Sequence, residues 1–390
     1  MVQGVKSDNS EVKKMRIAIN TRFLLPHKME GFGWYTFEIV KRMVEKHPEH
    51  TFIFFFDRKF DERFIFGENV IPVVLNPPAR HPLLFICWFE FAVYRALKKY
   101  KADVFFSPDG YLSLRSSVPQ VGVMHDLNFV HHPQDLPWSS RVYYNYFFPK
   151  FARKAAHLIT VSEYTKQDLT QTFQVPKDKI TVAWNAASEK FQPIDTHLQK
   201  DIQNQFASCR PYFLFVGSIH PRKNVKRLLE AYLEYLKTNE AFDLVVVGEP
   251  MWKQNQELIS LKHNKIHFTG HLSLEVLSHV MGAAACFVFV PYFEGFGIPL
   301  VEAMQSGIPI IAGNKTSLPE VAGEAAIYVD PFSVEEICQA MIRIEEDASL
   351  RNELAQKGLV RSRLFSWDDS ADKVWEVLFG LEDYRLQITD

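Results

Sequence analysis

Cysteine is scarce in this chain, and the four that it has lie far apart, with no Cys-x-x-Cys pair, at Cys87, Cys209, Cys286 and Cys338. This spacing predicts neither a disulfide framework nor a zinc site, and it fits a reducing, cytoplasmic compartment. Long apolar runs are also missing. The most apolar stretches, 83–94 and 286–293, are shorter than the roughly 20 residues that cross a bilayer. The sequence therefore predicts no membrane-spanning segment.

An excess of charge of either sign is absent as well, since 44 lysines and arginines face 46 aspartates and glutamates. No nucleic-acid partner is predicted from this balance. The polar segment 1–14 has no apolar core of a signal peptide and is expected to be a disordered tail.

Segments 80–101 and 137–157 read as helices that combine aromatic and basic residues. They either cover a core or touch an anionic membrane, at the inner face of which the protein would then be peripheral.

Short β-rich runs alternate with helical patterns in two successive series. The first series comprises 15–20, 51–56, 102–107, 121–126, 157–162 and 179–185, and the second comprises 212–218, 242–249, 265–270, 285–291, 308–313 and 325–330. Near-continuous apolar strands separated by helices predict parallel sheets that are covered on both faces. The predicted fold class is therefore α/β, with two Rossmann-like, doubly wound domains facing across a cleft.

The joint between the two domains is predicted in the polar segment 188–211, which has prolines near both ends. The expected domains are residues 15–195 and 196–364. A final helix over 365–390 has apolar residues at helical spacing and is expected to pack back on the N-terminal domain.

The stretch "EGFGIPLVE" follows a predicted strand and opens a predicted helix. Pro299 fits the first turn of that helix, and Gly295 and Gly297 permit close backbone approach. Amide groups at such a helix start favour an anion, here a diphosphate. Glu294 and Glu302 would repel phosphate, so they are better suited to accept hydrogen bonds from sugar and ribose hydroxyls. An acid that favours the helix dipole would explain one glutamate but not both.

A second strand and glycine turn, in "FVGSIHPRKN" (215–224), places Arg222 and Lys223 at the opening of an amphipathic helix. Cations at a helix N-terminus oppose the helix dipole, so an anion between them and the helix would explain their position. A solvated basic patch is the simpler alternative.

With these motifs the chain resembles the retaining GT-B glycosyltransferases of family 4, which use nucleotide-sugar donors. The resemblance includes the E-x7-E motif, "VGSIHPRKN", the His125-Asp126 pair and the early glycine loop "EGFGWYT" (30–36). "VSEYTKQDL" (161–169) and "FTGHLS" (268–273) follow in the family's order. The resemblance runs from about Met15 to the C-terminal helix.

The resemblance implies a role for each matching residue. Glu294 would hold donor-sugar hydroxyls, Glu302 the ribose, and Lys223 with Arg222 the diphosphate leaving group. His125 would face the donor sugar, although a structural core histidine is the alternative, and Asp126 would either orient His125 or cap a turn. The implied catalytic residues are His125, Asp126, Lys223 and Glu294. The implied donor-binding residues are Gly31, Gly33, Gly217, Ser218, Arg222, Lys223, His271, Leu272, Glu294, Gly295, Phe296, Gly297, Ile298 and Glu302.

Two positions depart from the family pattern. Ser218 stands where many relatives have an arginine, and "NAAS" (185–188) stands where many have Asn-Gly. The "PRKN" form is similar to a subgroup rich in mannosyltransferases, which favours GDP-mannose as donor, with UDP-glucose possible, and a saccharide or lipid-linked saccharide as acceptor. Lysine and helix amides can stabilise the leaving diphosphate, so no metal and no cofactor is expected. The resemblance suggests a front-face route to retention.

Two rival functions stay open from the sequence. A nucleotide-sugar epimerase could use the same architecture, and the serine at position 218 leaves room for a catalytically silent nucleotide-sugar-binding partner in an assembly. An NAD-type dehydrogenase is excluded, because no G-x-G-x-x-G follows any predicted strand.

Overall fold

The computed structural model describes residues 14–26, 29, 31–249, 261 and 263–389, with side chains up to 381. The predicted tail over 1–14 lies almost wholly outside these residues, as does Glu30 of the early glycine loop. By its internal contacts the chain divides into two compact units. The first contains the chain up to Val123, Lys150–Leu158 and the chain from Val374, and the second contains Met124–Pro149 and Ile159–Lys373. The predicted domain limits at 195 and 364 stay a prediction.

The first sheet has, within the described residues, seven strands in the order β3-β2-β1-β4-β5-β6-β7. Their bounds are β1 Arg16–Asn20, β2 Thr51–Phe56, β3 Val70–Val74, β4 Val104–Ser107, β5 Gln120–Met124, β6 His157–Thr160 and β7 Ile180–Val182. The strands pair in parallel from β3 to β5. The apolar run of β2 is buried along nearly its whole length, as the interior of a sheet covered on both faces requires.

The second sheet has six strands in the described ranges, in the order β10-β9-β8-β11-β12-β13, and every neighbouring pair is parallel. Their bounds are β8 Tyr212–Val216, β9 Asp243–Val247, β10 Ile266–Gly270, β11 Cys286–Phe289, β12 Ile310–Gly313 and β13 Ala326–Val329. The chain builds this sheet from β8 toward one edge and from β11 toward the other. The strand order therefore reverses between β8 and β11, where open α/β sheets bind ligands at the carboxyl ends of their strands.

Helices connect the strands and cover the sheets. Their bounds are α1 Gly31–Lys46, α2 Pro82–Cys87, α3 Tyr94–Lys99, α4 Asn128–His131, α5 Trp138–Lys154, α6 Glu163–Phe173, α7 Thr196–Ala207, α8 Val225–Tyr235, α9 Leu274–Gly282, α10 Ile298–Gln305, α11 Leu318–Ala322, α12 Val334–Glu346, α13 Ala348–Ser362 and α14 Trp367–Thr389. One π-helical segment, Trp88–Val93, joins α2 to α3. Among the residues that the structure describes, no helix has both the length and the apolar character of a membrane span.

The C-terminal helix α14 follows the predicted helical spacing. Val374 and Leu378 are buried, whereas the acidic residues Asp368 and Asp369 in its first turn are exposed. From Val374 onward the helix groups with the first unit, where the Trp375 ring stacks on His47 with 3.6 Å between ring centroids.

Candidate active site

Two loops of the second unit meet at the point where the strand order reverses. One follows β8 and runs through Gly217 and Ser218 into a single 3₁₀ turn at Pro221–Lys223, just before α8. The other follows β11 and runs from Val290 to Gly297, just before α10. Because β8 and β11 are parallel, hydrogen-bonded neighbours, both loops begin at the carboxyl ends of adjacent strands and lie side by side.

Asn224 and a backbone bond join the two loops. Asn224 has a left-handed backbone (φ 62°), and its side-chain amide donates to the carbonyl of Val290 at 2.9 Å and to that of Pro331 at 2.6 Å. The amide of Tyr292 donates to the carbonyl of Arg222 at 3.1 Å. These contacts hold the 3₁₀ turn Pro221–Lys223 against the loop from Val290 to Gly297, which is called the glutamate loop below.

The cations of the first loop converge on the first glutamate of the second. Lys223 Nζ lies 2.5 Å and Arg222 Nη1 lies 2.9 Å from Glu294 Oε2. The Lys223 and Glu294 side chains are only 11% and 14% exposed. Burial alone would raise the pKa of Glu294, but the charges of Lys223 and Arg222 outweigh burial and hold this pKa below its usual range. Glu294 is therefore a carboxylate at neutral pH, bound to both cations.

The loop from Glu294 to Gly297 follows the form that the sequence predicted. Gly297 has a left-handed backbone (φ 95°) at the N-cap of α10, and Pro299 lies in the first turn of that helix. Gly295 packs so closely that a Cβ atom built on it would lie 1.9 Å from the carbonyl oxygen of His125. Only glycine fits this contact, so the glycine at position 295 places the His125-Asp126 segment directly against the loop.

Within that segment the two side chains have different surroundings. His125 is half-buried, and its carbonyl oxygen accepts a hydrogen bond from the Thr165 hydroxyl at 3.3 Å. Asp126 Oδ1 accepts a hydrogen bond from the amide of Asn128 at 3.0 Å. Asp126 thus makes a local turn contact just before α4, whose N-cap position is Leu127. The effect of Asp126 on His125 stays a prediction.

The second glutamate differs from the first. Glu302 lies on α10, is partly exposed, and has no ion pair or side-chain hydrogen bond among the residues that the structure describes. Burial raises the pKa of Glu302 to about 7. The Glu302 carboxyl is therefore close to half ionised near neutral pH, and it lies about one helix turn after the glutamate loop.

The remaining predicted residues lie on other segments. Gly217 and Ser218 directly follow β8, and His271 and Leu272 directly follow β10, two strands away in the same sheet. Gly31 and Gly33 belong to the first unit, in the first turn of α1. Nothing lies within 4 Å of a Cβ built on Gly31, whereas one built on Gly33 would meet the Phe23 carbonyl oxygen at 2.7 Å.

Sequence reasoning missed the residues that hold the glutamate loop from behind. Ser162 and Thr165 lie in the stretch "VSEYT", from which the sequence predicts no role for either residue, and Ser317 and Glu320 lie in none of the motifs. A serine just before a helical pattern is a recognisable N-cap signal for Ser162. No local pattern could reveal Ser317, because its partners lie more than 20 residues away along the chain.

Two family models match successive parts of the chain. The family model described as "Glycosyltransferase Family 4" matches residues 29–189, and the one described as "Glycosyl transferases group 1" matches residues 199–361. Between them they cover most of the chain. The chain belongs to the family 4 glycosyltransferases. It is thus an enzyme of the hexosyltransferase class, and its two Rossmann-like domains have the GT-B fold.

Two curated glycosyltransferases and one solved structure show the extent of the similarity. O-antigen chain mannosyltransferase B of Escherichia coli is 27% identical over 361 residues, which is 88% of this chain and 94% of that protein. O-antigen chain mannosyltransferase RfbU of Salmonella typhimurium is 26% identical over 58% of this chain and 61% of its own length. The structure of sucrose-phosphate synthase from Thermosynechococcus elongatus has a TM-score of 0.78 and 18% identity, covering 95% of this chain and all of that one. At this identity the structural likeness supports the fold alone.

Proposed function

We propose that this glycosyltransferase transfers a hexose, with mannose favoured, from a nucleoside diphosphate sugar to a saccharide or a lipid-linked saccharide in polysaccharide assembly. The choice of mannose rests on the mannosyltransferase relatives and on the "PRKN" sequence form. GDP-mannose is the favoured donor and UDP-glucose the second choice.

One observation carries the proposal. Two cations, Arg222 and Lys223, lie together at the point where the strand order reverses, beside the glutamate loop that precedes α10. A diphosphate that arrives here would take the two cations as partners. Glu294, now bound to both, would then be released to accept hydrogen bonds from the sugar hydroxyls. Glu302 would accept from the ribose, and the base would lie near His271 and Leu272.

The chemistry follows from where charge develops. The bond between the anomeric carbon and the phosphate oxygen breaks through an oxocarbenium-like state, and negative charge gathers on the departing diphosphate. Arg222, Lys223 and the amides of Gly295 to Ile298 are preorganised to stabilise that charge. In the front-face route the acceptor oxygen bonds to the anomeric carbon on the side that the phosphate leaves. The acceptor's proton passes to the leaving phosphate, and the configuration is retained.

These groups supply the positive charge that a metal would otherwise provide. We therefore expect transfer to proceed without a divalent cation, and equal rates with and without EDTA would be the supporting result. A rate that falls with EDTA and returns with Mg²⁺ or Mn²⁺ would overturn metal independence but not transfer.

The test of the function is an assay of donor turnover with GDP-mannose and UDP-glucose. We expect slow release of the nucleoside diphosphate without acceptor and faster release with a mannose-containing oligosaccharide. Binding of donor without any turnover would favour a silent binding partner. Conversion of UDP-GlcNAc to its 2-epimer in the absence of acceptor would favour the epimerase.

A further inference from the structure

Four consecutive backbone carbonyls in the glutamate loop accept hydrogen bonds from side chains. The carbonyl of Phe293 accepts from Arg222 Nη1 at 3.3 Å, and that of Gly295 accepts from the Ser162 hydroxyl at 2.7 Å. The Ser317 hydroxyl donates to the carbonyls of Glu294, at 2.9 Å, and Phe296, at 3.1 Å. Side chains thus fix the orientation of every peptide group from Phe293 to Phe296.

The hydroxyl groups lie at the N-terminal ends of two helices, α6 and α11, which pack against the glutamate loop. Ser162 is the N-cap of α6. Thr165, in the first turn of α6, has its Oγ1 3.4 Å from the carbonyl oxygen of Gly295 and 3.3 Å from that of His125, and it lies 3.0 Å from the Ser162 hydroxyl, which is the donor of that pair. Ser317 occupies the N-cap position of α11 but makes no capping bond there, because its hydroxyl points to the loop instead. All three side chains are at most 1% exposed.

Glu320 on α11 fastens these two helix starts together. Its carboxylate accepts hydrogen bonds from the backbone amides of Glu163 at 2.8 Å and Tyr164 at 2.9 Å, which are the first two residues of α6. The same carboxylate accepts the indole N–H of Trp184 at 3.0 Å. Hydrogen bonds through Glu320 therefore connect the two helices that carry the hydroxyls of Ser162, Thr165 and Ser317.

Anchored carbonyls determine where the amides point. In a trans peptide the C=O of one residue and the N–H of the next face opposite ways. Fixing the carbonyls of Glu294, Gly295 and Phe296 toward the hydroxyls therefore turns the N–H groups of the three following residues away from them. In the described part of the chain these N–H groups, of Gly295, Phe296 and Gly297, have no hydrogen-bond acceptor.

We propose that Ser162, Thr165 and Ser317 are positioning residues that aim three successive loop amides at the donor's diphosphate. This proposal rests on the proposed function, because it takes the diphosphate as the anion that those amides meet. None of the three hydroxyls touches the donor. They act by keeping the amides preorganised, so that phosphate binding does not have to reorient the loop.

A purely structural role is the competing explanation, since a buried carbonyl without a partner is itself costly. The two roles differ in which ligand they affect. Loss of stability alone would leave ligand affinity unchanged, whereas loss of amide orientation would weaken a phosphate-bearing ligand and spare one without phosphate.

The experiment measures equilibrium binding of GDP and of guanosine to the whole chain, with UDP and uridine in their place if the chain selects a uridine donor. The variants are Ser317→Ala, Thr165→Val, which removes a hydroxyl at constant shape, and Thr165→Ser, which keeps it. Ser278→Ala is the matched control, because Ser278 is also buried and also donates to a backbone carbonyl, that of Glu275 at 2.8 Å on α9.

We expect Ser317→Ala and Thr165→Val to weaken GDP about tenfold while guanosine binding changes by less than about twofold. Thr165→Ser and Ser278→Ala should bind both ligands as wild type does. If Ser317→Ala does not fold, the comparison of Thr165→Val with Thr165→Ser decides.

Unchanged GDP affinity in both hydroxyl-free variants, or equal weakening of GDP and guanosine, would overturn the positioning role and leave the proposed function intact. A wild-type chain that binds neither GDP nor UDP would overturn the proposed function, and the positioning role with it.

Discussion

At the scale of single residues, two glutamates eight positions apart have opposite electrostatic environments. Glu294 is bound to Arg222 and Lys223, and its pKa is held low. Glu302 has no charged partner in the described chain, and burial raises its pKa to about 7. The sequence predicted both carboxylates as acceptors, but it could not show this difference. The low pKa of Glu294 depends on Arg222 and Lys223, which lie 72 and 71 residues earlier in the chain.

Glu302 should make the stability of the unliganded chain depend on pH. Its pKa is raised from 4.5 to about 7 in the folded state, so its contribution to stability is complete below about 4.5 and is lost as pH rises toward 7. Glu302→Gln should remove this loss. We expect the variant to gain melting temperature relative to wild type between pH 5 and about 7.5, measured by thermal denaturation. A difference that is constant across this range would show that Glu302 does not titrate there.

Lys223→Ala should reduce donor turnover by about 10²- to 10³-fold, because one preorganised charge is removed from the leaving diphosphate. Arg222 would still bind Glu294, so the fold should persist. Steady-state release of the nucleoside diphosphate is the measurement, and Lys200→Ala, at an exposed position on α7, is the control. Equal turnover in the two variants would remove Lys223 from the site.

At the scale of elements, strand-turn-helix units with strong apolar strands were predictable, and one edge strand was not. The predicted strand at 285–291 and the helix from Pro299 correspond to β11 and α10. Strand β3 was missed because Pro72 interrupts its apolar run and proline argues against a central strand. The structure places β3 at the edge of the first sheet, where a proline is tolerated.

Longer predicted helices were also right in place but not in detail. The segment 80–101 contains α2, a π-helical segment and α3 in place of one regular helix. Trp88 in the π segment is fully buried and donates its indole N–H to the carbonyl of Leu75 at 3.2 Å. That tertiary contact has no counterpart in helical periodicity, so the sequence alone could not indicate it.

Two glycines of the predicted site should differ strongly in how much a substitution by alanine destabilises the fold. Gly295→Ala would drive a methyl group into the His125 carbonyl, whereas Gly31→Ala has open space. We expect Gly295→Ala to lower the free energy of unfolding by about 3 kcal/mol and Gly31→Ala to change it by less than about 0.5 kcal/mol. Urea unfolding measures both. Equal effects would mean that His125 does not pack on the loop.

At the scale of the whole molecule, the two-sheet α/β architecture and the GT-B fold were predicted and are confirmed, because alternating buried strands and helices permit few arrangements. Of the candidate site, the sequence predicted Arg222, Lys223 and Glu294, which are in contact in the structure. It could not indicate Asn224 as the link between the loops, nor the hydroxyls behind them, because those contacts join segments distant along the chain. The limits of the domains stay a prediction.

The return of the C-terminal helix to the first unit should contribute measurably to stability. Trp375 stacks on His47 and also packs near Phe52, with 6.4 Å between those ring centroids. Trp375→Ala should therefore lower the free energy of unfolding by about 3 kcal/mol. The exposed neighbour Glu376→Ala is the control, and thermal or urea unfolding is the measurement. A loss no larger than that of the control would show that the stacking contributes nothing.

We propose that Arg222, Lys223 and the amides after Glu294 bind a nucleoside diphosphate. Thermal unfolding of wild type and Lys223→Ala with GDP-mannose, GDP, UDP-glucose and UDP tests it most directly. At a hundred times its dissociation constant, the correct nucleotide should stabilise wild type by about 2.7 kcal/mol and the variant much less at the same concentration. A wild type that no nucleotide stabilises, or a variant stabilised equally, would contradict the claim.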